Sequence, residues 1–310
     1  MRVAITGATG MVGRALTASL LADGHTVVAL VRRPPRRSET PGLEEAEWRA
    51  QLGRVDSVAL AGTEAVVHLA GEPFGPGLWT RRRRRLIRRS RVEGTLGLCR
   101  AVAGMRHPPT RLLSASGAHF YGATGDAVAT EDGPAGEGFL AELCRGWEEA
   151  TLPAREAGMS VAHLRSGVVL AREGGILRSL LPLYRVGLGG RLGSGTQYLT
   201  WISLIDQIGA IRFLLERPDV TGPVNLCAPE PVSNADFTRA LARALGRPAV
   251  VPLSPPAVRL ALGGFTEESA LVDLRARPER LERAGYSFLL PDIDSALSDI
   301  LPRPSPSVGA

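Results

Sequence analysis

The sequence predicts an α/β protein, a doubly wound parallel sheet with a small C-terminal lobe, and three features predict it. Ile5-Thr6-Gly7-Ala8-Thr9-Gly10-Met11-Val12-Gly13 is a glycine-rich turn between a short apolar run, Arg2 to Thr6, and a segment, Val12 to Leu21, with apolar residues at helical spacing. A second apolar run, Thr26 to Val31, closes a strand-helix-strand unit of about 30 residues, the length a dinucleotide-binding unit takes. Later apolar runs at Glu64 to Gly71, Arg111 to Ser116 and Val161 to Arg165 alternate with helical patterns and lead into small or hydroxyl residues. The carboxyl ends of parallel strands beside a ligand crevice have that character.

The chemistry of the first turn calls for glycine. Gly7 permits a tight turn, Gly10 lets the backbone approach a pyrophosphate, and Gly13 lets the helix pack closely on the strand, while the helix N-terminus offers free amides and the positive end of its dipole. The turn thus predicts a phosphate cradle of Gly7, Thr9, Gly10, Met11, Val12 and Gly13, with a ligand-free structural turn as the alternative. After the second strand come Arg32 and Arg33. Arginine at this place accommodates the 2′-phosphate of NADP, whereas an acidic residue would hold the ribose hydroxyl of NAD. NADP is therefore expected over NAD, against a solvated basic loop. Arg14 either assists the same phosphate or is an exposed helix residue.

Residues Ser38 to Gly62 read as loop, with a short strand around Ala46 to Ala50 and a helix near Val55 to Leu60. In the next strand His68 is expected to be packed, and Leu69, Ala70 and Gly71 let a cofactor lie against backbone. Thr80 to Arg91 is a basic run that resembles a nucleic-acid signal. Thr80 can instead cap a helix with apolar positions Leu86, Ile87, Val92, Leu96 and Leu98, continuing to Val102, which makes many of the arginines a solvated face. No aromatic platform accompanies the run, and no nucleic acid is expected as a partner. Ser114, Ala115 and Ser116 end the following strand, and Ser114, Ser116, His119 and Tyr121 are candidates for the reactive end of the crevice, against a hydroxyl-rich strand end satisfying its own backbone.

An acidic loop, Thr130 to Gly138, leads into a helix from Phe139 to Ala150, then the strand at Val161 to Arg165. Gly174 to Tyr198 shows little regular pattern and suits a substrate-facing lobe. Trp201 to Asp206 opens a helix through Leu215 with Ser203 or Asp206 at its start, Gly222 to Cys227 is a strand, and Val232 to Phe237 begins a capped helix running to Leu245. The organisation expected is a nucleotide-binding core over residues 1–170, a mixed substrate lobe over 171–301 in which 201–228 return to the core, and a disordered tail over 302–310.

Composition bounds the chemistry. The chain has 310 residues, 44% hydrophobic and 22% charged, with net charge +6. All 37 basic residues are arginine, so Schiff-base chemistry and any Tyr/Lys catalytic pair are excluded. Cys99, Cys144 and Cys227 are scattered and odd in number, which fits neither a disulfide framework nor a metal site. No apolar run reaches the length of a membrane span and no leader precedes the first strand. A cytoplasmic protein without a membrane partner is expected.

Thr6 to Gly13, His68 to Gly71, Ser114 to Ser116 with Tyr121-Gly122, Arg165 to Val168, Trp201 to Asp206 and Gly222 to Asn225 fall in the order seen in extended short-chain dehydrogenases/reductases. Phe139 to Ala150, Gly187 to Gly195 and Gly222 to Val232 resemble an atypical branch, an NAD(P)-dependent epimerase/dehydratase-like family with a C-terminal domain of unknown function. The resemblance covers nearly the whole chain. It implies a Rossmann-type doubly wound parallel sheet with a small C-terminal substrate-binding lobe, a homodimer through the helix of Leu86 to Val102, and Arg165, Gly167 and Val168 among the cofactor-binding positions. Ordinary members carry a Tyr-x-x-x-Lys pair, in which lysine lowers the tyrosine pKa and helps hold the ribose. Counting back from Glu148, those positions are Leu140 and Cys144, so the usual acid/base is absent. The function expected is an NADP-dependent oxidoreductase or epimerase acting on a small carbonyl or sugar-like substrate, with Tyr121 as proton donor and Ser116 and His119 orienting substrate or relaying a proton. A non-catalytic NADP-binding redox sensor or regulator is the alternative.

Overall fold

The computed structural model describes residues 1–49, 52–74, 79–249, 251–252 and 272–301. Strand β1 (Arg2–Thr6), helix α1 (Met11–Ala22) and strand β2 (Thr26–Val31) form the predicted opening unit. Then follow β3 (Leu43–Arg49), β4 (Arg54–Val55) and β5 (Ala65–His68). Helices α2 (Arg81–Arg88) and α3 (Gly94–Ala103) lead to β6 (Arg111–Gly117), and α4 (Phe139–Glu149) and α5 (Leu152–Glu156) to β7 (Ser160–Ser166). The eight-stranded sheet has the order β11-β7-β6-β5-β1-β2-β3-β4, where β11 is Gly222–Leu226. Its strands pair in parallel except β3 with β4. From β1 the chain builds outward to β2 and β3, then crosses to β5 on the other side. The gap between β1 and β5 is therefore the topological switch point, where open α/β sheets bind ligands at the carboxyl ends of the strands.

Apolar burial explains the layers. Val3 and Ile5 point to one face with Leu16 and Leu20 of α1 and Ile211 and Leu214. Ala4 and Val28 point to the other with Leu98, Val102 and Leu112. Alternate residues of a strand face opposite sides, so strands covered on both faces read as continuous apolar runs. A further cluster joins β8 (Val168–Leu170), α6 (Gly175–Arg185), β10 (Trp201–Ser203), α8 (Asn234–Leu245) and, after α9 (Glu279–Arg283), α10 (Ile293–Ile300), with Leu177, Tyr184, Trp201, Phe237 and Leu297 at its centre. Helix α7 (Leu204–Glu216) packs back on the main sheet, and the short β9 (Tyr198–Leu199) and β12 (Val232–Ser233) pair antiparallel.

Several expectations are corrected. The helix expected at Val55 to Leu60 is a run of turns, because Asp56 Oδ1 accepts the amides of Val58 and Ala59 and competes with helix propagation. The strand expected at Ala46 to Ala50 starts earlier, at Leu43, and Ala50 lies outside the described residues, as does the tail 302–310. Gly174 to Tyr198, expected to be irregular, contains α6 with Pro182 inside it. The long helix begins as expected, with Thr80 Oγ1 accepting the Arg83 amide at 3.2 Å. However, a wide i to i+5 turn at Arg89–Glu93 separates α2 from α3. On this helix Leu86 is exposed and Arg91 is buried, the reverse of the expected faces.

Candidate functional site

The glycine turn packs against the end of β5. Gly7 has φ +70°, and a Cβ there would stand 3.0 Å from the Ala70 nitrogen and the Leu69 carbonyl carbon. A Cβ on Gly13 would overlap the Gly7 carbonyl oxygen, so glycine is required for the turn and helix to meet. Gly10 is the N-cap of α1, without a side-chain cap, and no acidic residue occupies the first turn. The leading amides and dipole of this 12-residue helix are left for an anion. Met11 lies over Gly174, where any Cβ would overlap its sulfur, so the cradle is walled by the segment that leads into α6.

Behind the turn, a buried chain fixes the two strand ends. Thr6 Oγ1 accepts the amides of Leu69 and Ala70, both at 3.1 Å, and lies 2.7 Å from His68 Nδ1. With both amides donating to it, the hydroxyl proton goes to Nδ1. Nε2 then carries the ring proton and donates to Thr95 Oγ1 at 2.9 Å. Burial foremost, and then the charge of Arg91, push the His68 pKa down to about 3. His68 is thus the packed, neutral strand histidine that the sequence suggested.

The sequence-selected residues gather at one end of the sheet. Leu69 to Gly71 follow β5, Ser114 to Ser116 end β6, and Gly167 and Val168 follow β7. Val168 donates its amide to Thr200 O at 2.8 Å, and a Cβ on Gly167 would stand 2.7 Å from that oxygen. Arg32 and Arg33 follow β2 but differ in availability. Arg33 is paired at two points with Glu45 on β3, at 2.5 and 2.8 Å, whereas the exposed Arg32 has no partner among the described residues.

The expected catalytic residues sit in a polar network. Ser116 Oγ donates to Glu148 Oε1 at 2.7 Å, and Arg165 donates to both Glu148 oxygens at 2.8 and 2.9 Å. Arg165 also donates to the Tyr121 hydroxyl at 3.0 Å, which in turn donates to Asn225 Oδ1 at 2.7 Å. The Arg165 guanidinium stacks 3.4 Å from the Phe120 ring centre. Burial opposes its charge, yet its hydrogen bonds to Glu148 and the charge of that carboxylate, with Tyr121, outweigh it and its pKa is raised. Burial drives the Tyr121 phenol up to about 12 despite Arg165, and pushes His119 down to about 4. Tyr121, expected to present its hydroxyl to the crevice, and Arg165, expected among the cofactor-binding positions, both engage their polar groups in buried bonds. Leu140 and Cys144, in the places of the absent pair, are both buried, and burial drives the Cys144 thiol up to about 12. Among the described residues no group of His, Cys, Asp and Glu could hold a metal ion, and no helix is long and apolar enough to cross a membrane.

Sequence reasoning did not single out Glu148 and Asn225, the partners in this network, or the buried Arg91. For Arg91 a signal existed: Ile87, Arg91 and Thr95 recur every four residues, on a single helical face whose other two members are apolar or small.

The strand order, the glycine turn at the switch point and the uncapped α1 define a Rossmann-type fold of the short-chain dehydrogenase/reductase class. The chain belongs to the NAD dependent epimerase/dehydratase family, whose model matches residues 3–227, and a domain of unknown function, DUF1731, matches residues 254–300. An epimerase family protein of Mycobacterium bovis is 45% identical over 302 residues, spanning 97% of this chain and 98% of its own. The crystal structure of the human epimerase family protein SDR39U1 with NADPH superposes with a TM-score of 0.84 at 32% identity, covering 97% of this chain and 99% of that one. A nucleoside-diphosphate sugar epimerase of Corynebacterium glutamicum gives a TM-score of 0.79 at 37% identity, covering 97% of this chain and 58% of that one.

Proposed function

We propose that this protein binds NADP(H) and acts as an atypical oxidoreductase or epimerase on a small carbonyl or sugar-like substrate. The observation that carries the reading is the bare N-terminus of α1, which is turned by Gly7 against the end of β5 and has an unpaired Arg32 at the end of β2. Residues Gly7 to Gly13 would hold the pyrophosphate, Arg32 the 2′-phosphate, and Leu69 to Gly71, Ser114, Ala115, Gly167 and Val168 the remainder of the cofactor. The human relative crystallised with NADPH supports the choice of cofactor. When bound, the cofactor supplies hydride transfer. Ser116 and His119 are the groups we assign to orienting substrate, and Tyr121 would contribute its proton only with the Asn225 and Arg165 bonds rearranged.

The engaged Tyr121 hydroxyl and the neutral Cys144 favour a second reading, a non-catalytic NADP-binding sensor. Consumption of NADPH by purified protein against a panel of carbonyl and sugar-nucleotide compounds separates the two. Turnover above the protein-free blank supports the enzyme; saturable NADPH binding with no turnover supports the sensor. Absence of NADPH binding overturns both.

A further inference from the structure

Arg91 is a buried cation without a counter-ion bonded to it among the described residues. Its side chain belongs to the wide turn at Arg89–Glu93, a local distortion of the kind often retained for function, and the residue is 6% exposed. Its guanidinium carbon lies 4.3 Å from the Phe74 ring centre and 5.0 Å from that of Trp147, so its faces are packed. Nη1 donates to the Glu72 carbonyl at 2.9 Å, while Nε is buried with no hydrogen-bond partner among the described residues. Glu72, a carboxylate whose charge acts on it, is paired with Arg83. A charge this deep normally costs too much to retain unless something completes it.

Its position says what could. The guanidinium lies 3.1 to 3.3 Å from where a Cβ of Gly71 would stand, immediately beyond the carboxyl end of β5 where the cofactor is proposed to lie. Its charge also acts on Cys144, the position at which ordinary family members carry lysine. Cys144 is a neutral thiol and offers no countercharge. Burial lowers the Arg91 pKa to about 10, which leaves it charged at neutral pH.

We propose that Arg91 takes the place of the missing lysine as the fixed cation of the crevice, donating to acceptor oxygens on the nicotinamide half of the bound dinucleotide. Arg91 reaches the crevice from the α2–α3 turn, and Gly71 leaves room for it. The assignment rests on the NADP reading above and makes Arg91 a binding residue.

The test compares two ligands by titration calorimetry: NADPH, and adenosine 2′,5′-bisphosphate, which carries the 2′-phosphate end without nicotinamide. Arg91→Met and Arg91→Gln are expected to weaken NADPH about 10- to 100-fold, the worth of a charge-assisted hydrogen bond, and to leave the bisphosphate unchanged. Gln keeps a donor for the Glu72 carbonyl, so a selective loss in that variant isolates the charge. Loss of neither ligand, or parallel loss of both, overturns the proposal and makes Arg91 a packing residue. Wild-type protein that binds neither ligand overturns the NADP reading instead.

Discussion

Arg165 of β7 and Glu148 of α4 meet in a two-point ion pair, 2.8 and 2.9 Å, at 4% and 10% side-chain exposure. The pair ties the helix that normally carries the family's acid/base to the strand beside it. Through Ser116 and Tyr121 it also fixes the ends of β6 and its following turn. A carboxylate committed to this extent is a scaffold for the crevice, and the loss of the usual pair has left that scaffold in place.

Removing one partner should therefore be costly. Arg165→Met strands the Glu148 carboxylate, and Glu148→Leu strands the guanidinium; each should destabilise by about 3–5 kcal/mol, as breaking a buried pair does. The Arg165→Met/Glu148→Leu double variant should recover much of the loss. Urea denaturation checks this: the midpoint should fall in each single variant with the slope unchanged, and rise again in the double.

Acid should weaken the fold through buried histidines. His68 and His119 are held neutral, with pKa values lowered from 6.5 to about 3 and about 4, mainly by burial. Because these folded-state values lie below the unfolded one, the folded protein binds fewer protons. Its stability is whole above about pH 6.5 and is lost as pH falls toward the folded values, at about 1.4 kcal/mol per histidine per pH unit. By pH 4.5 the two together should cost on the order of 5 kcal/mol. Stability measured across this range should fall less steeply in His68→Gln, by about 1.4 kcal/mol per pH unit; an unchanged slope would assign the acid sensitivity elsewhere.

Arg32 and Arg33 should separate in cofactor selectivity. Arg33 already spends its fork on Glu45, whereas Arg32 is free to meet a 2′-phosphate. Arg32→Ala is expected to weaken NADPH by about 10- to 100-fold and to leave NADH nearly unchanged. Arg33→Ala should change either ligand by less than about threefold, within the small worth of an exposed group. Titration of both variants with both nucleotides reads out the ratio.

Much of this was legible in sequence for a physical reason: β1, β2, β6 and β7 are apolar runs covered on both faces, and the glycine turn has a rigid geometric requirement at Gly7 and Gly13. Short strands paired by few residues, such as β4, carry no periodicity, and the Asp56 turn depends on one side chain. The site was legible where backbone makes it and obscure where side chains choose partners. Sequence position alone placed Tyr121 and Arg165 near the crevice, but their bonds to Asn225 and Glu148 join segments 104 and 17 residues away. Arg91 was hidden among its exposed arginine neighbours.

A buried carboxylate anchors the C-terminal segment at residues 286–290. Asp206, fully buried in the first turn of α7, accepts from Ser203 Oγ at 2.8 Å, from the amides of Leu289 at 2.7 Å and Leu290 at 3.0 Å, and from the Tyr286 hydroxyl at 3.4 Å. The amide bonds cross 83 and 84 residues of sequence and fix the approach to α10. Ala at this site removes the acceptor and leaves those amides unsatisfied, at about 1–3 kcal/mol for each buried group. Because the lost bonds are concentrated at 286–290, Asp206→Ala should loosen that end before the sheet. Hydrogen exchange should speed up over residues 286–300 by at least tenfold while protection in β1 and β5 persists; equal acceleration throughout would mean that Asp206 stabilises the fold as a whole and has no local clamping role.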